Sequence, residues 1–321
     1  MSVHPPSIWV LRDDRAGHNA QSHGLAHRFG VPYSIKPIEY NRFARLPNVF
    51  IGKSLRGLTE SSKALIVPPW PKLVIAAGRR IVPVAEYIKK QSPETILLQL
   101  MWPGHVEPFD LIIAPKHDHP PQDPRIITTV GALHAVTDSI LDMEAEKLHP
   151  ICATLPRPII LVLVGGNSKH GTFERSDIHR LLDLSELLAG SNGSLFISTS
   201  RRSPSFVESI CKERITCPYH LYKWGSKEAN PYPGMLKLAD AIVVTGDSIS
   251  MSSEACYSGK PVYLFNPVSL ESDKHRDFQN SLLGEGYAKA LTPNASLEWK
   301  PEKRLDEINR IVSLIKSRKS K

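Results

Sequence analysis

Short apolar runs rich in β-branched residues recur along this chain, each closed by a glycine-rich or polar turn and followed by a stretch of helical periodicity. Such alternation is that of a parallel-sheet α/β protein, in which crossover helices join neighbouring strands. Ile8-Trp9-Val10-Leu11 reads as the first strand, residues 12–19 as a polar turn and residues 20–29 as a helix. Further strands are expected over 73–76, 95–100, 111–114 and 126–129, with a helix over 82–90 after Gly78.

Residues 148–158 hold Pro150, Pro156 and Pro158 between an expected helix (136–147) and the strong strand 159–164, and read as an interdomain linker. The alternation then restarts: helix 176–189, strand 194–198, helix 205–212, strand 219–222, helix 234–239, strand 241–245, helix 250–258 and strand 261–265. Two successive α/β units predict two Rossmann-like domains facing each other across a cleft, residues 1–150 and 151–300, with ligands at the carboxyl ends of the strands. A closing segment, 301–321, places Leu305, Ile308, Ile311, Val312 and Ile315 on one stripe. It carries Arg310, Lys316, Arg318, Lys319 and Lys321 with no acid after residue 309. Two readings stay open, a helix packing back on the N-terminal domain, which is preferred, and a basic amphipathic contact with an anionic membrane.

The 321 residues leave room for two domains, and 41% hydrophobic with 22% charged residues exclude a disordered or fibrous chain. A net charge of +8 admits phosphate, nucleic acid or anionic lipid as partner. Nucleic acid is set aside, because no RNP-like aromatic string, zinc spacing or helix-turn-helix pattern occurs. Neither a G-x-x-x-x-G-K-[ST] loop nor a G-x-G-x-x-G is present, which disfavours the common ATPases and nicotinamide enzymes. Cys152, Cys211, Cys217 and Cys256 form no C-x-x-C pair, so a reducing compartment is expected. The longest apolar run, 159–164, is far short of the roughly 20 residues that span a bilayer, which predicts a soluble, cytoplasmic protein, at most peripheral at the inner membrane.

Three loops of the second half end strands in a manner suited to an anion. Gly165-Gly166-Asn167-Ser168 follows a buried-looking strand, where glycines let backbone N–H groups approach a phosphate, although a plain strand-to-loop turn has the same form. Thr199-Ser200-Arg201-Arg202-Ser203-Pro204 offers hydroxyls and cations, or merely a helix cap. Gly246-Asp247-Ser248-Ile249-Ser250-Met251 leads into a helix carrying Glu254, placed for a ribose or for capping. In the first half, Asp13, Asp14 and His18 lie after strand one, and Gly78-Arg79-Arg80 ends another strand. His117-Asp118-His119 sits in a proline-rich loop where three adjacent residues converge poorly on one ion, so no metal is expected.

Gly-Gly-Asn-Ser, Thr-Ser-Arg-Arg-Ser-Pro, Asn230-Pro231-Tyr232, Thr245 through Ala255 and Gly259-Lys260-Pro261-Val262 together resemble the signature series of the Elongated Mitochondria family, named for plant mitochondrial fission. Leu11 through Gln21 and Pro115-Lys116-His117-Asp118 resemble it too, so the likeness covers about residues 8–290. The resemblance implies a GT-B architecture. The loop order is also similar to that of the lipid II N-acetylglucosaminyltransferase of peptidoglycan synthesis.

Carried over, that similarity implies a nucleoside diphosphate sugar as donor substrate with no further cofactor. Gly165, Gly166, Asn167 and Ser168 would take its diphosphate beside Thr199, Ser200 and Arg201; Glu254 would hold the ribose, and Asp247, Ser248, Ser250 and Met251 would line the pocket. Asp14 or His18, and next Asp118, are the candidates for the base that deprotonates an acceptor hydroxyl. The expected activity is metal-independent glycosyl transfer to an envelope or lipid-linked acceptor. A nucleotide-sugar epimerase of the same fold and a non-catalytic membrane-recruiting adaptor are the alternatives.

Overall fold

The buried strands order the molecule. In the first unit they are β1 (Ile8–Arg12), β2 (Tyr33–Pro37), β3 (Leu73–Ala77), β4 (Ile96–Leu100), β5 (Leu111–Pro115) and β6 (Ile126–Thr129), all parallel, in the order β2-β1-β3-β4-β5-β6. Helices α1 (Ala16–Arg28), α2 (Asn48–Ile51), α3 (Glu60–Ala64) and α4 (Val82–Gln91) connect them. The second unit begins with α5 (Asp138–Cys152) and alternates β7 (Ile159–Val164), α6 (Arg175–Ala189), β8 (Ser194–Thr199), α7 (Val207–Arg214), β9 (Tyr219–Tyr222), α8 (Tyr232–Leu238), β10 (Ala241–Thr245), α9 (Ile249–Tyr257), β11 (Val262–Phe265), α10 (Asp273–Gly284) and β12 (Lys289–Ala290). Its parallel sheet runs β12-β11-β10-β7-β8-β9. The last helix, α11 (Glu307–Lys319), returns to the first unit. This computed structural model describes residues 7–167, 171–267 and 272–319.

The units are Met1–Ala135 with Glu307–Lys321, and Val136–Asp306. Their division falls at 135/136, not near 150, because α5 belongs with the second unit. Gly234 of α8 lies so close to α5 that a Cβ there would meet the Glu144 carbonyl oxygen at 2.5 Å, and Lys237 pairs with Asp142 at 2.7 Å. Pro150 sits inside α5. The proline-rich stretch is therefore a helix end and the approach to β7, not a spacer between domains.

Period-two alternation feeds both faces of the first sheet. Ile8, Val10, Ile75 and Ala77 pack with Leu25 and Ala26 of α1 and with Ile308, Ile311, Val312 and Ile315 of α11. Trp9, Leu11, Val74 and Ala76 face the other way, against Val82, Ala85 and Ile88 of α4. The apolar stripe of α11 is thus core, and none of it remains for a membrane. In the second unit, Ile160, Val162 and Val164 pack on Ile178, Leu181 and Leu182 of α6 and on Val207 and Ile210 of α7. Among the described residues, no helix is long and apolar enough to cross a membrane.

Candidate functional site

In each sheet the strand order reverses at one place, and an open α/β sheet leaves a crevice at the carboxyl ends of the two strands there. The first unit reverses between β1 and β3, the second between β7 and β10.

At the β7–β10 point three loops lock together. Gly165 N–H donates to Thr245 Oγ1 at 2.8 Å, Gly166 N–H to Asp247 Oδ2 at 2.9 Å, and Asn167 N–H to the Arg202 carbonyl at 3.1 Å. Thr245 donates its hydroxyl to Asp247 Oδ1 at 2.7 Å, and Ser200 and Ser203 donate theirs to the Gly165 carbonyl at 3.0 and 2.6 Å. The glycines are required by packing. A Cβ on Gly165 would fall 2.2 Å from Asp247 Oδ1, and one on Gly166 would fall 2.0 Å from the Arg202 carbonyl.

This arrangement corrects two expectations. The N–H groups of residues 165–167 are occupied within the protein, so the glycine loop is a tightly braced edge and not a ring of donors awaiting phosphate. Asp247, expected to line the pocket, has a side chain only 1% exposed and braces two loops. Burial pushes its carboxyl pKa up, opposed by the hydrogen bonds from Thr245 and Gly166 and by the Arg202 cation. The arginine that reaches this point is Arg202, 3.6 Å from Asp247. Arg201 is exposed and lines a cavity of about 210 Å³ with Thr199, Ser200, Glu208, Lys223 and Trp224. Thr199 Oγ1 accepts the Trp224 N–H there at 2.8 Å. Asn167 Oδ1 accepts the Phe173 N–H at 2.9 Å, and Ser168 lies outside the described residues.

The anion-ready feature is the start of α9. Ser248 is its N-cap and accepts from Met251 N–H at 3.4 Å, which leaves Ile249 and Ser250 as first-turn amides with no carbonyl one turn earlier in the helix. Glu254 stands in the second turn, past the position a capping box requires. Its Oε2 accepts the Tyr232 hydroxyl at 2.5 Å. Part of Glu254 is accessible, yet its carboxyl lies deep enough that desolvation pushes the pKa up to about 7, against the pull of the Tyr232 bond. Tyr232, from the Asn-Pro-Tyr stretch, was not among the expected pocket residues; its pKa is raised well above the usual value by burial and by Glu254.

At the β1–β3 point, α1 starts at Ala16, earlier than expected, so His18 rides its first turn and does not lie in a loop. Asp13 Oδ1 accepts the Arg15 N–H at 2.9 Å, a local turn that starts the helix without a side-chain N-cap. Asp13 Oδ2 faces His18 Nδ1 at 3.4 Å, and its side chain is 2% exposed. Burial opposes its ionisation, but the His18 contact and the Arg15 N–H outweigh it and hold the carboxyl below its ordinary value. Gly78, at φ +83°, makes room for the imidazole, since a Cβ there would lie 2.3 Å from His18 Cε1.

Asp14 is exposed and paired with Arg80 at 3.1 Å, whose guanidinium stacks 3.9 Å over the Tyr40 ring. Burial, and then the Asp13 carboxylate, raise the Tyr40 pKa. Asp118 closes a 3-10 turn after β5, and β3 and β4 stand between β5 and β1. The geometry therefore joins His18 to Asp13, ties Asp14 to a cation, and sets Asp118 apart. Asp13 is the member whose role the sequence left open. An apolar cavity of about 390 Å³ lined by Ile8, Phe29, Lys72, Leu73 and Ile315 lies at the amino ends of β1 and β3, away from these groups.

Comparison with solved structures reveals the fold. A putative UDP-N-acetylglucosamine 2-epimerase of Listeria monocytogenes is 12% identical, covers 99% of this chain and 97% of its own, and superposes with a TM-score of 0.55. MurG of Acinetobacter baumannii is 11% identical over 97% of this chain and 90% of its own, with a TM-score of 0.50. The architecture is GT-B. An uncharacterized protein of Rickettsia prowazekii (strain Madrid E) is 32% identical, over 97% of this chain and 98% of that protein. Mitochondrial fission protein ELM1 of Arabidopsis thaliana is 30% identical over 74% of this chain, and the match spans 61% of the plant protein. The family model described as mitochondrial fission ELM1 matches residues 16–318. The chain belongs to the mitochondrial fission ELM1 family.

Proposed function

We propose that this protein is a GT-B glycosyltransferase whose second unit binds a nucleoside diphosphate sugar and whose first unit activates the hydroxyl of an envelope or lipid-linked acceptor. The observation that carries this reading is the start of α9. Two amides without a partner among the described residues and the positive end of the helix lie one turn from a carboxyl group on the same helix. The diphosphate sits on the amides of Ile249 and Ser250 beside Ser248, and Glu254 accepts from the ribose hydroxyls. The braced glycine loop supplies close approach without donating. Arg202 supplies positive charge near the leaving diphosphate.

In the first unit, His18 takes the acceptor proton at Nε2 while Asp13 holds the ring at Nδ1 and stabilises the imidazolium that forms. Asp14 and Asp118 take no part in proton transfer under this reading. The test is calorimetric titration of the whole protein with UDP, GDP, ADP and CMP. Saturable binding of one of them, weakened by about 1.5–3 kcal/mol in Glu254→Ala, is expected, since a charged hydrogen bond is lost. Absence of binding to all four removes the donor site. Turnover of the bound sugar without any acceptor, followed by NMR, would instead identify an epimerase.

A further inference from the structure

Between β2 and β3 the first unit displays a segment in which exposed apolar side chains alternate with cations. Phe43, Leu46, Val49 and Phe50 are 47%, 47%, 81% and 70% exposed. Interleaved with them are Arg42, Arg45, Lys53 and Arg56, all exposed, and residues 41–59 contain no acidic side chain. None of these four cations forms an ion pair among the described residues; the Arg42 guanidinium lies over the Phe43 ring at 5.1 Å.

The segment is firmly built at its base. Asn41 accepts the Phe43 N–H through Oδ1 at 2.9 Å and donates through Nδ2 to the carbonyls of Arg56 and Leu58 at 2.8 and 2.7 Å, closing the loop across its neck. Ile51 and Leu58 turn inward and are 8% and 1% exposed. The apolar tip is therefore held outward by buried anchors. Asn48 Nδ2 donates to the Arg79 carbonyl at 2.8 Å, which fastens the segment just past the carboxyl end of β3, where Gly78 accommodates His18.

Exposed apolar side chains gathered with cations, and with no anion among them, match a surface that is apolar beneath a negatively charged face. That is the profile of a bilayer containing anionic lipid, into which aromatic and aliphatic tips sink while Arg and Lys stay at the headgroups. The alternative carrier, α11, buries Ile308, Ile311, Val312 and Ile315 in the core and leaves Leu314, 38% exposed, as the large apolar side chain at its described surface. We propose that residues 42–56 dock the protein on an anionic bilayer and turn the carboxyl ends of β1 and β3 toward it. This inference does not depend on the donor-site reading, since vesicle partition and nucleotide binding are measured separately.

The test is co-sedimentation of the full chain with vesicles of phosphatidylcholine plus phosphatidylglycerol, against phosphatidylcholine alone. Binding to the anionic vesicles is expected. It should fall about tenfold or more in Val49→Ser/Phe50→Ser, from the lost apolar burial, and about fivefold for each of Lys53→Gln and Arg56→Gln. Thermal melts should be unchanged, because these side chains are exposed. Two results would overturn the proposal on vesicles: no binding by the wild type, or binding that survives the Val49/Phe50 variant and disappears in Lys316→Gln/Arg318→Gln. A third is a dimer in ultracentrifugation that the Val49/Phe50 variant dissociates, without vesicle binding, since a second copy then covers the patch.

Discussion

Tyr232 and Glu254, contributed by α8 and α9, share one hydrogen bond of 2.5 Å from phenol to carboxylate oxygen. Glu254 holds its proton up to about 7 when folded, against an ordinary value of 4.5. The unfolded chain gives that proton up earlier, so the folded state binds more protons between these values and loses stability as pH rises through them. In Glu254→Gln this loss is absent. Thermal melts from about pH 5 to about pH 8 should show the variant gaining on the wild type. An unchanged difference between the two proteins across that range would contradict the assignment.

Gly166→Ala places a methyl group against the Arg202 backbone, which cannot swing aside as a side chain tip would. The cost of overpacking is about 1–3 kcal/mol, read from urea denaturation. Nucleotide affinity should fall as well, because the loops after β7 and β8 must part to admit the methyl.

Under the proposed function, Gly78→Ala is expected to disable the His18 site of the first unit without touching donor binding. The new Cβ occupies the space of the His18 imidazole and lies in a backbone region that favours glycine. Both Gly78→Ala and His18→Ala should lower kcat by about 10²–10⁴ with nucleotide affinity unchanged in calorimetry. Asp14→Asn, by contrast, should leave kcat within a few-fold of the wild type. A large loss in that variant would restore Asp14 as the base.

Ile311, fully buried in α11 against the first sheet, should cost about 2–5 kcal/mol on replacement by Ala, measured by denaturant titration. The effect tests the core role of the stripe directly. A surface helix would lose almost nothing.

Parallel strands were plain in the sequence because burial on both faces writes an unbroken apolar run, as in 159–164, observed as Ile159–Val164. Strand β2 carries no such run: Tyr33–Pro37 sits at a sheet edge, half exposed, and its pattern is that of a loop. The start of α1 escaped because Arg15 is no capping residue and the acid that organises the turn, Asp13, precedes it. The strand-end loops of glycine, serine and arginine around the candidate site were legible as loops. Which of those groups face inward was not, since Asp247 and Thr245 turn into the protein only once β10 is laid beside β7. Likewise the pairing of His18 with Asp13 depends on the space left at Gly78, sixty residues away in sequence.

A helix at the far end of the chain that completes the first core has a consequence for biosynthesis. Residues 136–306 form a contiguous unit, able to close as soon as they leave the ribosome. The earlier-made first unit must wait for residues 307–319 before Ile308, Ile311, Val312 and Ile315 complete the cover that α1 begins on one face of its sheet. During that interval its apolar strands are open to chaperones or to neighbouring nascent chains. A chain ending at Asn309 would prolong that interval without limit, since it forfeits Ile311, Val312 and Ile315 and leaves the face shared with α1 incompletely covered.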